Sequence, residues 1–186
     1  MKRRETLKLF GAAAVAAVIG VAGIPGLSFA QDQKKMVTVV KIAGIPWFNA
    51  LENGVKKAGT DFGIDTSVVG PANLDPAQQV KLLEDLIAQK VDVILLAPRE
   101  EKPLIPAVME AKKAGIPLLL IDRNVDQSLA KGGEDYVAFI GSDFVKEGLM
   151  AAEVLTKAVG GKAKIIELQG TVGSSPANDR MKGFAD

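Results

Sequence analysis

Short runs of aliphatic and β-branched residues alternate along the chain with longer stretches in which apolar residues recur every three or four positions. The short runs are typical of strands, and the longer spacing is typical of one helix face. Several runs lack polar alternation, which indicates strands buried on both faces. This order predicts an α/β fold with a doubly wound parallel sheet covered by helices on both sides. The strands are predicted at 37–42, 65–69, 91–96, 117–121, 136–140 and 164–168.

Capping residues mark the helices between these runs. A helix is predicted from Phe48 to Phe62 and ends at Gly63, and Asp75 followed by Pro76 opens a second as N-cap and first helical residue. Further helices are predicted over 104–114 and 145–158, and a last one is capped by Ser174 or Ser175 with Pro176 near its first turn.

The first thirty residues differ from the rest in charge and apolar content. A basic start at Arg3-Arg4 precedes an apolar stretch at 9–24, and Ser28-Phe29-Ala30 supplies small residues two positions apart. We predict a signal peptide over 1–30, cleaved after Ala30, and its Arg pair resembles the twin-arginine export motif. The alternatives are the general secretory route, a membrane anchor or a cytosolic helix, although the apolar stretch is shorter than the roughly 20 residues that span a bilayer.

Composition excludes several kinds of chemistry. The chain has no His and no Cys, so it has no Ser-His-Asp or Cys-His nucleophile system, no zinc site of His and Cys, and no disulfide. We predict no metal and no cofactor. The formal net charge of +1 gives no support to a nucleic-acid partner, since phosphate binding relies on clustered Lys and Arg.

The residues that follow the predicted strands carry the functional signal, because ligands of such sheets bind beyond the carboxyl ends of the strands. Trp47, the only Trp of the chain, follows the first strand, and Asp122 and Arg123 follow the fourth. A carboxylate can accept from vicinal hydroxyls, and a guanidinium can donate in a fixed fork. An aromatic face can cover the C–H face of a ring. Together these groups indicate recognition of a neutral polyol.

At this point the sequence resembles type I periplasmic substrate-binding proteins of sugar ABC transporters, in the ribose-binding and galactofuranose-binding branch, over 36–186. The motifs that carry the resemblance are Pro46-Trp47-Phe48, the run at 91–98, Gly115-Ile116-Pro117, Asp122-Arg123, and the Gly-Thr-x-Gly-x-Ser...Arg-x-x-Gly-Phe pattern at 170–184. The resemblance implies a monosaccharide ligand and ABC transporter permease subunits as partners. It also implies a monomer in the periplasm, with membrane contact only through the permease and no enzymatic activity.

The resemblance also implies the ligand-binding residues. Two aromatics would sandwich the sugar, an acid–base pair would bind its hydroxyls, and a rim carboxylate and a second-lobe arginine would complete the site: Trp47, Phe48, Asp122, Arg123, Asp143 and Arg180 respectively. Lys41 matches a ligand-contacting Lys of the related branch that binds a furanosyl autoinducer. Ile45 stands where ribose binders have Asn, which removes a hydrogen-bonding side chain.

The same resemblance suggests how the chain is divided. After the signal peptide, residues 31–140 would form an N-terminal α/β lobe, and 141–186 would begin a second, incomplete lobe. Because the chain ends within a predicted helix, we expect a truncated gene product or fragment.

Other interpretations remain open at each position. Of the two aromatics, Trp47 could cap the hydrophobic core and Phe48 could lie on the buried face of its helix. Asp122 and Arg123 could form a turn with a local salt bridge, and Asp143 could be a helix N-cap. The side chain of Arg180 could be solvated, and that of Lys41 could extend from a strand edge to bring its ammonium into solvent. The cluster at 99–102 is expected to be a solvated loop. Gly170 to Gly173 lacks the ending of a phosphate-binding loop.

Alternative functions are a binding protein for a sugar-like signal that serves a transporter or chemoreceptor, a sugar-responsive transcription regulator, and an enzyme. The export signal occupies the place of a regulator's DNA-binding segment, and no paired-carboxylate motif supports an enzyme.

Overall fold

The computed structural model describes residues 33–186; the predicted signal peptide at 1–30 lies outside the described residues. Its strands pair in parallel throughout, in the order β2-β1-β3-β4-β5. They are β1 (Lys35–Val39), β2 (Asp65–Val69), β3 (Val93–Leu96), β4 (Leu118–Ile121) and β5 (Phe139–Ile140). The chain winds outward from β1 in both directions, which confirms the predicted doubly wound α/β sheet and puts its switch point between β1 and β3.

The helices are α1 (Phe48–Phe62), α2 (Pro76–Ala88), α3 (Ile105–Lys113), α4 (Phe144–Val159) and α5 (Ser175–Ala185). Two predicted boundaries are observed in detail. Gly63 ends α1 in the left-handed region at φ 65°, and its N–H donates to the Gly59 carbonyl. Asp75 caps α2, since its carboxylate accepts from the Ala77 N–H at 2.9 Å. No described helix is both long and apolar enough to cross a membrane.

The core lies between the sheet and the helices α2 and α3. Strand residues such as Ile94 and Leu120, and helix residues such as Leu83 and Val108, have no exposed surface. Each fully buried aliphatic side chain contributes about 1.5–3 kcal/mol, so this layer supplies much of the fold's stability.

The prediction of a strand at 164–168 is wrong, because the structure has no strand there. Ile166 and Leu168 are 92% and 93% exposed. A strand is stable only when a neighbouring strand accepts its backbone hydrogen bonds, and in the described part of the chain none lies beside this segment. Apolar composition alone does not supply that neighbour.

The helices α4 and α5 pack chiefly against each other. They touch backbone to backbone at two glycines: a Cβ at Gly148 would collide with the Arg180 carbonyl, and one at Gly183 would collide with the Val145 carbonyl. Small residues therefore set the close approach of this pair.

Candidate ligand-binding site

A cavity of about 170 Å³ opens at the carboxyl edge of the sheet, beyond the ends of β1 and β4. It collects six of the seven predicted site residues from four separate parts of the chain. Its lining consists of Lys41, Ile45, Trp47, Phe48, Asp122, Arg123, Phe144, Pro176 and Arg180. This is the edge where ligands of doubly wound sheets bind.

The two neighbouring aromatics at the start of α1 differ in burial. Trp47, at the N-cap position, is 62% exposed, whereas Phe48 is buried. Their rings meet edge to face, with centroids 4.9 Å apart and planes at 85°. Trp47 therefore does not cap the core, and Phe48 both packs into the protein and lines the cavity.

Asp122 stands at a strained turn directly after β4. Its φ is +61°, a left-handed conformation that costs a non-glycine residue about 1–3 kcal/mol. The Arg123 N–H donates to the Ile121 carbonyl across it, which closes a three-residue γ-turn, and the Asp122 N–H donates to the Ile140 carbonyl at 2.9 Å. Pairing with the β5 end thus holds the carboxylate at the cavity.

The Arg123 guanidinium binds partners on both sides. Its Nε donates to Asp122 Oδ2 at 3.3 Å, and its Nη1 donates to Ser174 Oγ at 2.7 Å. Burial lowers the pKa of Arg123, and the Asp122 charge opposes that change. The local salt bridge that the sequence offered as an alternative is therefore present, and it lies in the cavity wall.

Lys41 lies just beyond β1 and is half-buried. Among residues 33–186 its ammonium makes no hydrogen bond or ion pair. Burial lowers the pKa of Lys41, the positive charge of Arg123 lowers it further, Asp122 raises it, and Arg99 lowers it. Its three donor hydrogens are thus available to a ligand.

Arg180 approaches the cavity from α5. Its Nε donates to Glu147 Oε2 at 2.8 Å, and its guanidinium lies 4.5 Å from the centre of the Phe144 ring. The side chain is half-exposed. These two contacts hold the exposed group against the cavity wall.

Asp143 does not line this cavity. It is the N-cap of α4, where its carboxylate accepts from the Lys146 N–H at 3.0 Å. That is the alternative the sequence offered for it, and its role as a ligand contact stays a prediction.

The expectation of a solvated loop at 99–102 is wrong for Arg99 and Glu100, whose side chains are only 15% and 24% exposed and form an ion pair. The next residue, Glu101, accepts from Asn178 Nδ2 at 3.1 Å. The loop is partly covered because α5 packs over it. Its charge pattern resembles that of a surface turn, so the sequence did not reveal this contact.

Gln79 is the polar residue that sequence reasoning missed. It is fully buried, and its amide bonds backbone groups at the ends of β1 and β3. It shares a helix face with Leu83 and Leu86, so a polar residue at an apolar position was the available signal. The described residues contain no cluster of acidic side chains that could hold a metal.

A doubly wound parallel sheet with a cavity lined by polar and apolar side chains at its carboxyl edge is the architecture of many α/β proteins whose ligands bind at that edge. Residues 36–186 match the model of the periplasmic binding protein domain, and the chain belongs to that family.

Similarity to individual proteins supports the same family assignment. The chain is 34% identical over 157 residues to a ribose import binding protein of Bacillus subtilis, covering 83% of this chain and 49% of the relative. It is 37% identical over 141 residues to a galactofuranose-binding protein of Escherichia coli, covering 75% and 43%. A crystal structure of a galactofuranose binding protein superposes with a TM-score of 0.73 at 33% identity, covering 82% and 50%. The chain spans about half the length of the curated relatives it matches.

Proposed function

We propose that this chain captures a monosaccharide in the cavity beyond β1 and β4, as the substrate-binding component of an ABC transporter. The observation that carries the proposal is the convergence of Asp122, Arg123, Lys41 and Trp47 on one cavity of about 170 Å³. These groups come from two loops, the one that follows β1 and the one that follows β4, and their chemistry matches a polyhydroxylated ring.

The cavity favours a small polar ligand. Its volume lies below the roughly 300–1,000 Å³ of clefts that take drug-sized molecules. Asp122 provides acceptor oxygens for hydroxyl groups, and Lys41 and Arg123 provide donors on the same wall. The exposed Trp47 ring offers an apolar face to the C–H side of the ring.

The relatives support a sugar as the ligand class, since they are named for ribose and galactofuranose. They do not favour the alternative of a signalling molecule. Ile45 lines the cavity with an apolar side chain where ribose binders have a hydrogen-bonding Asn. This difference favours a ligand other than ribose.

The proposal includes the setting of the protein. Residues 1–30 would act as a cleaved export signal, the periplasm would be the site of action, and permease subunits would receive the ligand. Residues 31–140 would form one lobe, and residues 141–186 would begin a second, so that Arg180 and Phe144 approach the ligand from the second lobe. Contacts from both lobes would stabilise a closed form over an open one.

Asp122→Asn tests the site. The change keeps the side-chain size and removes the charge, so we expect the affinity for the bound sugar to fall roughly ten- to hundredfold, as for loss of a hydrogen bond to a charged group. Isothermal titration calorimetry with D-ribose, L-arabinose and D-galactose measures this affinity. Asp61→Asn is the matched control, because Asp61 lies on the exposed side of α1 and pairs with Lys57. Unchanged affinity in Asp122→Asn, or no sugar binding by the unaltered chain, contradicts the proposal.

A further inference from the structure

The amide of Gln79 occupies the switch point of the sheet, where β1 and β3 part. Its Nε2 donates to the Ala97 carbonyl at 2.9 Å and to the Val40 carbonyl at 3.2 Å. Its Oε1 accepts from the Arg99 N–H at 2.9 Å. One side chain therefore satisfies three backbone groups, and it is fully buried.

The hydrogen bonds of Gln79 begin where the backbone hydrogen bonds between β1 and β3 end. The last backbone hydrogen bond between the two strands, in the described part of the chain, runs from the Ala97 N–H to the Val39 carbonyl at 2.9 Å. Beyond it the Val40 and Ala97 carbonyls would be buried without a partner, which is costly. The Gln79 amide takes the place of the next ladder bonds and fixes how far apart the two chain segments lie.

The two segments lead directly to charged groups at the site. Val40 precedes Lys41, which lines the cavity. Ala97 and the buried Pro98 precede Arg99, whose charge acts on both Lys41 and Arg123. The Gln79 amide thus influences the cavity through the backbone segments that it binds, although Gln79 itself does not line the cavity.

We propose that Gln79 is a positioning residue of the ligand site, which holds the backbone at Val40 so that the Lys41 ammonium stays in the cavity. The inference rests on the proposed function for its ligand. A residue that merely filled the core would affect stability and leave the surroundings of Lys41 unchanged.

The first test needs no ligand. Acetylation of Lys41 in the full chain, followed by mass spectrometry across a pH series, gives the titration midpoint of its ammonium. In Gln79→Met, which keeps the side-chain length and removes the amide, we expect the midpoint to rise toward that of an ordinary lysine, because the released segment lets water reach the ammonium. Gln78→Met, at the adjacent and partly buried position of α2, is the control and should leave the midpoint unchanged. An unchanged midpoint in Gln79→Met overturns the proposal.

A second variant covers the case in which Gln79→Met does not fold. Gln79→Glu loses both donors when ionised and regains one when protonated, and burial raises the pKa of such a carboxyl. We expect sugar affinity in this variant to be about tenfold weaker than in the unaltered chain at pH 8, and closer to it at pH 5. A loss that is equal at both pH values overturns the proposal. If the unaltered chain binds no sugar, the proposed function fails, and the inference is then decided by the Lys41 titration midpoint alone: an unchanged midpoint in Gln79→Glu, relative to the unaltered chain, overturns it.

Discussion

Apolar runs of similar sequence are buried in one region of the molecule and exposed in the other. The two regions are the sheet region, residues 33–140, and the helical-pair region, residues 141–186. In the sheet region, apolar runs such as β3 and β4 pair with neighbours and lose their exposed surface. In the helical-pair region, Ile166, Leu168 and Val172 stay about nine-tenths exposed. The comparison teaches that an apolar run forms a buried strand only where an adjacent strand offers backbone hydrogen bonds.

Polar contacts join the two regions. Arg123 donates to Ser174, the Asn124 N–H donates to Ser175 Oγ at 2.9 Å, and the Glu101 N–H donates to the Gly173 carbonyl at 2.9 Å. The junction therefore relies on hydrogen bonds at loops and helix ends rather than on a shared apolar core.

Leu83→Ala against Leu168→Ala gives the largest expected difference between the regions. Leu83 is fully buried, so its truncation should lower the free energy of unfolding by about 2–5 kcal/mol. Leu168 is 93% exposed, so its truncation should change that free energy by less than about 0.5 kcal/mol. Equilibrium urea unfolding measures both. Similar losses in the two variants would contradict the burial contrast described above.

Gly148→Ala tests the backbone contact within the helical pair. The added Cβ must push α4 away from the Arg180 carbonyl, so we expect a loss of about 1–3 kcal/mol. Gly54→Ala is the control, because that position in α1 has open space and the change should stabilise the protein by about 0.4–1 kcal/mol. Hydrogen exchange should show lost protection in α4 and α5 but not in β3. Equal loss in β3 would mean that the two regions unfold as one unit.

Glu101→Gln at the junction has the smallest expected effect, and it depends on pH. Burial raises the pKa of Glu101, the hydrogen bond from Asn178 opposes this, and Asp179 and Asp126 raise it further. The folded state therefore holds the proton more tightly than the unfolded state, and the unaltered chain loses stability as pH rises from the ordinary value of 4.5 through the raised one. The glutamine variant has no such loss and keeps an acceptor for Asn178.

Thermal unfolding of both proteins at about pH 4 and about pH 7 checks this sign. The melting temperature of Glu101→Gln should exceed that of the unaltered chain at the higher pH, and the two should converge at the lower pH. A lower melting temperature of the variant at neutral pH would mean that the ionised carboxylate stabilises the junction.

Much of the sheet region could be predicted from sequence because its signals are local. Apolar periodicity, the Asp75 cap and the Gly63 stop depend on neighbouring residues, and the structure has α1 and α2 where these signals placed them. The position of the cavity followed from a rule about strand ends. The helix pattern marks Gln79 as a polar residue at an apolar position, but its bonding partners, like the contacts that cover the loop at Arg99, could not be predicted in this way, because those groups lie about twenty or more positions away along the chain.

Trp47 is the only Trp of the chain, and its place at the cavity has a spectroscopic consequence. The chain contains one Trp, so all of its indole fluorescence originates from the cavity rim. Because 62% of that residue is exposed, we expect the emission of a largely hydrated indole, and a molecule that covers the ring should shift the emission to shorter wavelength. The protein thus carries its own optical reporter at the place where a ligand is proposed to bind, and no attached dye is needed to follow occupancy in real time.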